Sequence, residues 1–160
     1  MDVEARYLSE PGPLGLFTRI TRVGLLVDAF QHRSLDPLGL LFIDYSVLRL
    51  LQLAGAPYRM SPTELSEIVV RSSGGMTQIL DRLETTGLVE RSPDPSDRRK
   101  VVVGLTPDGL RTAQRANASY RRARERLLGA LSPDEIEQLD AAVHRLLEVL
   151  GEDGHVRAGA

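Results

Sequence analysis

Residues 61–106 read SPTELSEIVVRSSGGMTQILDRLETTGLVERSPDPSDRRKVVVGLT, and the rest of the chain is arranged around this stretch. Ser61, Pro62 and Glu64 form a capping box with proline at the first helical position, so a helix is expected to start there. Leu65, Ile68 and Val69 supply its apolar face at helical spacing. Arg71-Ser72-Ser73 interrupts that pattern and offers a second cap. Met76, Ile79, Leu80 and Leu83 form the stripe of a second helix, which stops at Thr86-Gly87, where glycine suits the left-handed position after a helix end. Residues 88–91 and 100–105 read as strands. Between them lies a loop, 92–99, whose two prolines are expected to keep it from pairing, with Arg98, Arg99 and Lys100 on its far side.

Two short helices joined by a tight turn are a helix-turn-helix candidate, the second helix being free to enter a major groove. Its outward face begins Ser73, Gly74, Gly75, Thr77, Gln78, all small or hydrogen-bonding and none acidic. Glycines at a helix start cost about 1 kcal/mol each against alanine. Close approach of a phosphate to the helix N-terminus would account for them; close helix packing or a loose cap is the other reading. A basic loop tip alone is usually a solvated turn. Directly after a helix-turn-helix, a hairpin with such a tip reads as a wing whose cations reach the DNA backbone or minor groove.

These residues resemble the winged helix of the MarR (multiple antibiotic resistance regulator) family. The matching signatures are TELSEIV, TQILDRLETTGLVER, DPSDRR with its Asp97 and Arg99, and the closing GLTPDG. The resemblance is strong over residues 61–109 and extends to the flanking helices by length and placement only.

Residues 1–13 carry no periodicity and read as a tail. Leu16, Phe17, Ile20, Val23, Val27 and Phe30 mark a helix over 14–32, broken at 35–39. A second helix is expected over 43–53, with Asp44 as its cap and Val47, Leu48 and Leu51 inward, ending before Gly55-Ala56-Pro57. After the wing, Thr106-Pro107-Asp108 repeats the cap-then-proline signature and opens a long helix with Leu110, Ala113, Ala116, Tyr120, Ala123, Leu127 and Leu131 along one side. Ser132-Pro133-Asp134-Glu135 is a further capping box, followed by a stripe of Ile136, Leu139, Val143, Leu146 and Leu150; residues from 151 onward read as frayed. The expected fold is mainly α with a small β-hairpin: one domain over 1–160, with a winged helix-turn-helix lobe (43–105) flanked by dimerisation helices (14–34 and 106–150). The terminal stripes exceed what the winged helix needs to cover its core, and the same helices of a second copy are the simplest partner. The resemblance implies the same two-fold dimer; a monomeric bundle is the other reading.

At 160 residues and a formal charge of -2, the chain is long enough for one core. Its charge is segregated: residues 109–130 hold six arginines and one glutamate, whereas 131–153 are acidic. With no cysteine, thiolate ligands, disulfides and thiol redox sensing are excluded. No apolar run approaches 18 residues and no signal-peptide pattern opens the chain, so a cytoplasmic protein with no membrane partner is expected. His32, His144 and His155 form no metal-binding pattern, Ser72-Ser73-Gly74-Gly75 lacks the lysine of a phosphate loop, and no nucleophile elbow is present. The acidic residues read as solvated helix faces. No catalytic residue, metal site or cofactor is expected.

The leading functional reading is a dimeric regulator of transcription that binds a palindromic duplex. Ser73, Gly74, Gly75, Thr77 and Gln78 would lie in the major groove, with Gln78 pairing to adenine at two points. Thr63 and Arg71 would hold phosphates, and Asp97 would fix Arg99, which with Arg98 would contact the minor groove or flanking phosphates. The alternative is a winged-helix module whose basic tip reads an acidic protein surface. The resemblance further implies a small aromatic or anionic effector, placed by position near Phe30, Phe42, Tyr45 and Arg49; ordinary core plus a surface arginine is the other reading of those four.

Overall fold

The computed structural model describes residues 8–69 and 73–152. The elements run α1 (Gly12–Leu35), a 3-10 turn (Asp36–Leu38), α2 (Phe42–Leu53), β1 (Arg59–Met60), α3 (Pro62–Ile68), α4 (Ser73–Thr85), β2 (Val89–Pro93), β3 (Val101–Leu105), α5 (Pro107–Leu128) and α6 (Pro133–Glu152). The two expected strands are present, and a third, β1, joins them. The sheet order is β1-β3-β2, antiparallel throughout, with Arg59 opposite Gly104 and Glu90 opposite Gly104 from the other side.

The core lies where α2, α4, the sheet and the first half of α5 meet. Val47, Leu48 and Leu51 of α2 and Met76, Leu80 and Leu83 of α4 are buried, as their spacing requires. Ala113, Ala116 and Tyr120 of α5 close the cluster. Leu65 is fully buried, but Ile68 is exposed. With only seven residues in α3, Leu65 and the half-buried Val69 use up its inward side, and Ile68 faces away.

Several boundaries differ from expectation. α1 starts at Gly12, within the segment expected to be a tail, and Arg19 donates to the carbonyl oxygens of Leu8 and Glu10, fastening the preceding residues to the helix. Residues 1–7 and 153–160 of the two tails lie outside the described residues. Asp44 is not the cap of α2: Leu41 occupies that position, and Asp44, three residues on, accepts from its backbone N–H at 3.1 Å. Asp44 is also buried, unlike the solvated carboxylates expected. β2 continues through Pro93, which lies opposite Val101. Proline is tolerated there because β2 is an edge strand. The hairpin closes beyond it through Asp94 N–H to Lys100 O at 2.9 Å.

The terminal helices carry exposed apolar side chains both on and off their expected stripes, while Ile20, Phe30, Ile136 and Leu146 of those stripes are half-buried and Leu147 lies off its stripe. Phe17 and Val23 of α1 and Leu139, Val143 and Leu147 of α6 are all about half exposed or more. α5 divides at Tyr120: its first half is core, while Leu127 and Leu128 beyond it are open.

Candidate nucleic-acid interface

The helix-turn-helix is assembled by local chemistry. Ser61 Oγ accepts from the Glu64 N–H at 3.2 Å, and the Glu64 carboxylate accepts from the Ser61 N–H at 2.7 Å. These hydrogen bonds hold the Glu64 carboxyl below its ordinary pKa. Thr63 follows on the exposed first turn of α3. α4 buries Met76, Ile79, Leu80 and Leu83 and leaves Gly74, Thr77 and Gln78 exposed, with Gly75 half-buried at the edge. A Cβ at Gly74 would meet nothing within 4 Å. Arg71 lies outside the described residues, as does the side chain of Ser73. At its far end α4 is closed by Gly87 at φ +71°, with Gly87 N–H donating to Glu84 O and Leu88 N–H to Leu83 O, both at 2.9 Å. This paired arrangement needs a left-handed residue, and glycine adopts it without strain.

The wing is pinned at its tip. Asp97 accepts from the Arg99 backbone N–H and Nε, each at 3.1 Å, and from Nη2 at 3.3 Å. The hydrogen bonds from Arg99 hold the Asp97 carboxyl below its usual range. The Arg99 side chain is 90% exposed, so its orientation is set while its charge faces solvent. Arg98 and Lys100 are exposed beside it.

Three tethers between these parts escaped the sequence reading. Arg91 on β2 reaches both Asp81, at 2.6 Å, and Glu84 on α4. Burial works against the Arg91 charge, but the hydrogen bonds to Asp81 and Glu84 overcome it and raise the pKa. Thr106 caps α5 through the Gly109 N–H at 2.9 Å and also donates to Gly87 O at 2.7 Å, joining α5 to the end of α4. Gly109 sits so close to Leu88 that a Cβ would fall inside the van der Waals shell of its carbonyl oxygen. The third tether is an ion pair between Asp44 of α2 and Arg82 of α4. The partners are 38 residues apart, and no local spacing signals such a pairing.

Phe30, Phe42 and Tyr45 do come together, around Tyr120 of α5. Their ring centroids lie 5.9, 5.8 and 5.3 Å from that of Tyr120. The Tyr45 hydroxyl donates to Asn117 at 3.2 Å, and burial raises its pKa against the opposing charges of Arg124 and Arg49. Arg49 turns to Gln52 at 2.9 Å. Phe30 borders a cavity of about 540 Å³ with Arg33 and Arg126, and Phe42 one of about 380 Å³ with Asp28 and His32; Tyr45 and Arg49 border neither. Among the described residues no acidic, histidine or cysteine cluster could hold a metal, and no helix is long and apolar enough to cross a membrane.

A helix capped by Ser61 and Glu64, a second helix closed by Gly87 with an exposed face of Gly74, Thr77 and Gln78, and a cation-tipped hairpin packed against it define a winged helix-turn-helix; the second cap expected at 71–73 lies outside what is described. The MarR family model matches residues 44–101. The HTH-type transcriptional repressor Rv2887 of Mycobacterium tuberculosis is 31% identical over 146 residues, covering 91% of this chain and 99% of that protein. Among solved structures, a mutant MarR from E. coli complexed with operator DNA is 28% identical, with a TM-score of 0.73 over 92% of this chain and 99% of that one. CouR from Rhodococcus jostii RHA1, bound to p-coumaroyl-CoA, is 26% identical, with a TM-score of 0.71 over 82% of this chain and 90% of that one. The chain belongs to the MarR family. It is a DNA-binding regulator of transcription and not an enzyme, and nothing favours a module that does not bind DNA.

Proposed function

We propose that the chain is a cytoplasmic, ligand-responsive repressor that binds a palindromic operator as a homodimer. The observation that carries this reading is the wing tip: Asp97 spends its hydrogen-bonding capacity on orienting an otherwise solvent-facing Arg99. A cation fixed in direction yet left without a buried partner is suited to a phosphate or a minor groove.

On this reading Ser73, Gly74, Gly75, Thr77 and Gln78 enter the major groove, Gln78 reads a base, and Thr63, Arg71 and Arg98 hold the backbone. Residues 43–105 form the DNA-binding lobe, and 14–34 with 106–150 the dimerisation helices. The exposed apolar side chains of α1, α5 and α6 support that division, since a second copy of the same helices would cover them. A repressor and a ligand-bound regulator among the similar proteins support repression and an aromatic or anionic effector. The ring cluster of Phe30, Phe42, Tyr45 and Tyr120, with Arg49 beside it, is where such an effector would act.

Selection of the bound duplex from random DNA tests the whole reading. The expected product is a palindrome with half-sites about 10 base pairs apart. Enrichment of a site without two-fold symmetry would sink the dimer, and absence of enrichment would sink sequence-specific reading. Repeating the selection with Gln78→Ala should relax one base position in each half-site, at a cost of about 1–3 kcal/mol in discrimination.

A further inference from the structure

Asp44 is the one buried charged residue among those described, 3% exposed in the first turn of α2. Three donors converge on its carboxylate: the Leu41 N–H, and Arg82 Nε and Nη2, which arrive as a fork from the far half of α4. Burying a carboxylate is costly, and a well-packed apolar residue in its place is often as stable or more so. The pair is therefore poorly explained as a device for stability. Its geometry does something that apolar packing does not. Met76, Ile79, Leu80 and Leu83 press α4 against the core, but apolar contact is non-directional and tolerates small rotations of the helix. A guanidinium held at two points by one carboxylate tolerates them poorly.

The tether also acts on the side of α4 that matters. Arg82 follows Gln78 by four residues and Gly75 by seven, so the three lie along one strip of the helix surface. The reference point is itself anchored, because the next residue, Tyr45, is packed among aromatic rings and bonded to Asn117 of α5.

We infer that Asp44 is a positioning residue for DNA recognition: by gripping Arg82 it sets the rotation of α4 about its axis, and with it the direction of Gln78 and the glycine face. This rests on the reading that α4 enters the major groove. Asp44 itself touches no DNA; it acts through Arg82.

The test uses the full-length protein and the duplex selected above, with a scrambled duplex as reference. Asp44→Asn, Arg82→Gln and the double variant are compared by thermal melting and by the ratio of the two dissociation constants. Each single variant is expected to lower that ratio about tenfold or more, with binding to the scrambled duplex changed little. The double variant is expected to lose no more than the worse single one. A role in folding alone would instead lower Tm and weaken both duplexes together. Should Asp44→Asn fail to fold, Arg82→Lys keeps the charge at a partly exposed position and replaces the fork with a single point of contact. It should fold normally and still lose discrimination. The inference is overturned if folded Asp44→Asn keeps the wild-type ratio, if Arg82→Lys keeps it, or if the two single losses multiply in the double variant. Loss confined to the Arg82 variants would make Arg82 a direct DNA contact and also overturn it. A wild-type protein that selects no duplex at all would refute the DNA reading instead, so the two failures are distinguishable.

Discussion

Gly74→Ala separates the cost of a glycine from its purpose. Gly74 lies in the first turn of α4, its φ is not left-handed, and a Cβ built on it meets no atom within 4 Å. Alanine should therefore fit without strain and stabilise the protein by about 0.5–1 kcal/mol through helix propensity and a less flexible unfolded chain. For a chain of this size that is a rise in Tm of about 1–4 °C, measured at fixed protomer concentration because association would shift it. On the duplex the same methyl group is an obstruction. If the backbone at Gly74 lies against the groove, the added carbon forces a displacement of the kind that costs about 1–3 kcal/mol in a packed interior. That corresponds to a loss of about 5- to 150-fold in operator affinity. Fluorescence anisotropy on the selected operator, alongside a melting curve, reads both quantities from one preparation. The expected signature is a protein that melts higher and binds worse. A variant that melts higher and binds the operator as tightly as wild type would refute the close-approach argument and leave Gly74 as a loosely wound helix start.

Other outcomes follow from features already described. Arg99→Ala should reduce the magnitude of the logarithmic salt slope by about 1 per half-site with little change in base preference; an unchanged slope would remove the wing tip from binding. Gly109→Ala should destabilise by about 1–3 kcal/mol in urea melts, because its Cβ meets the Leu88 carbonyl; a variant as stable as wild type would mean that α5 slides outward freely. Acid should loosen the helix starts. The Glu64 and Glu135 carboxyls are both held below their ordinary value of 4.5 by hydrogen bonds from Ser61 and Ser132. Their stabilising contribution is thus complete above that value and lost as pH falls through the lowered one. Glu64→Gln should flatten part of the stability decline below pH 4.5, as followed by circular dichroism; an identical acid profile would dismiss the capping carboxylate as its source.

What could be read from the sequence was what is written in short spacings. The capping boxes at Ser61 and Ser132 are contacts between residues three apart, and both are found as expected. The stripe of Met76, Ile79, Leu80 and Leu83 follows from helix period alone. β1 was not legible, because two residues, Arg59 and Met60, show no alternation; only their pairing with β3 makes them a strand. Asp44 misled for a related reason. Its residue type suits a cap, but the position one turn earlier belongs to Leu41, and the pairing that explains Asp44 comes from 38 residues away. Tyr45 and Arg49 do sit one turn apart, as their spacing requires, yet tertiary packing sends the ring into the aromatic cluster, while the guanidinium bonds locally to Gln52, three residues on in the same helix. Thr106 was legible as a cap, whereas its second bond, to Gly87 O, depends on the wing folding back.

The short sheet has a consequence for how this molecule can go wrong. One of its edges, β1, is two residues long, and the other, β2, ends in Pro93, which offers no N–H to an incoming strand. Short edges and edge prolines are poor templates for strand addition from another chain. Nearly all the exposed large apolar side chains are instead on helices, chiefly α1, α5 and α6. An excess of this protein should therefore self-associate through helical surfaces that remain folded, with little tendency to recruit neighbours into extended β-structure. Overproduced material that lost solubility would be expected to keep its helical signal and to redissolve, unlike a protein whose sheet edges had been left open.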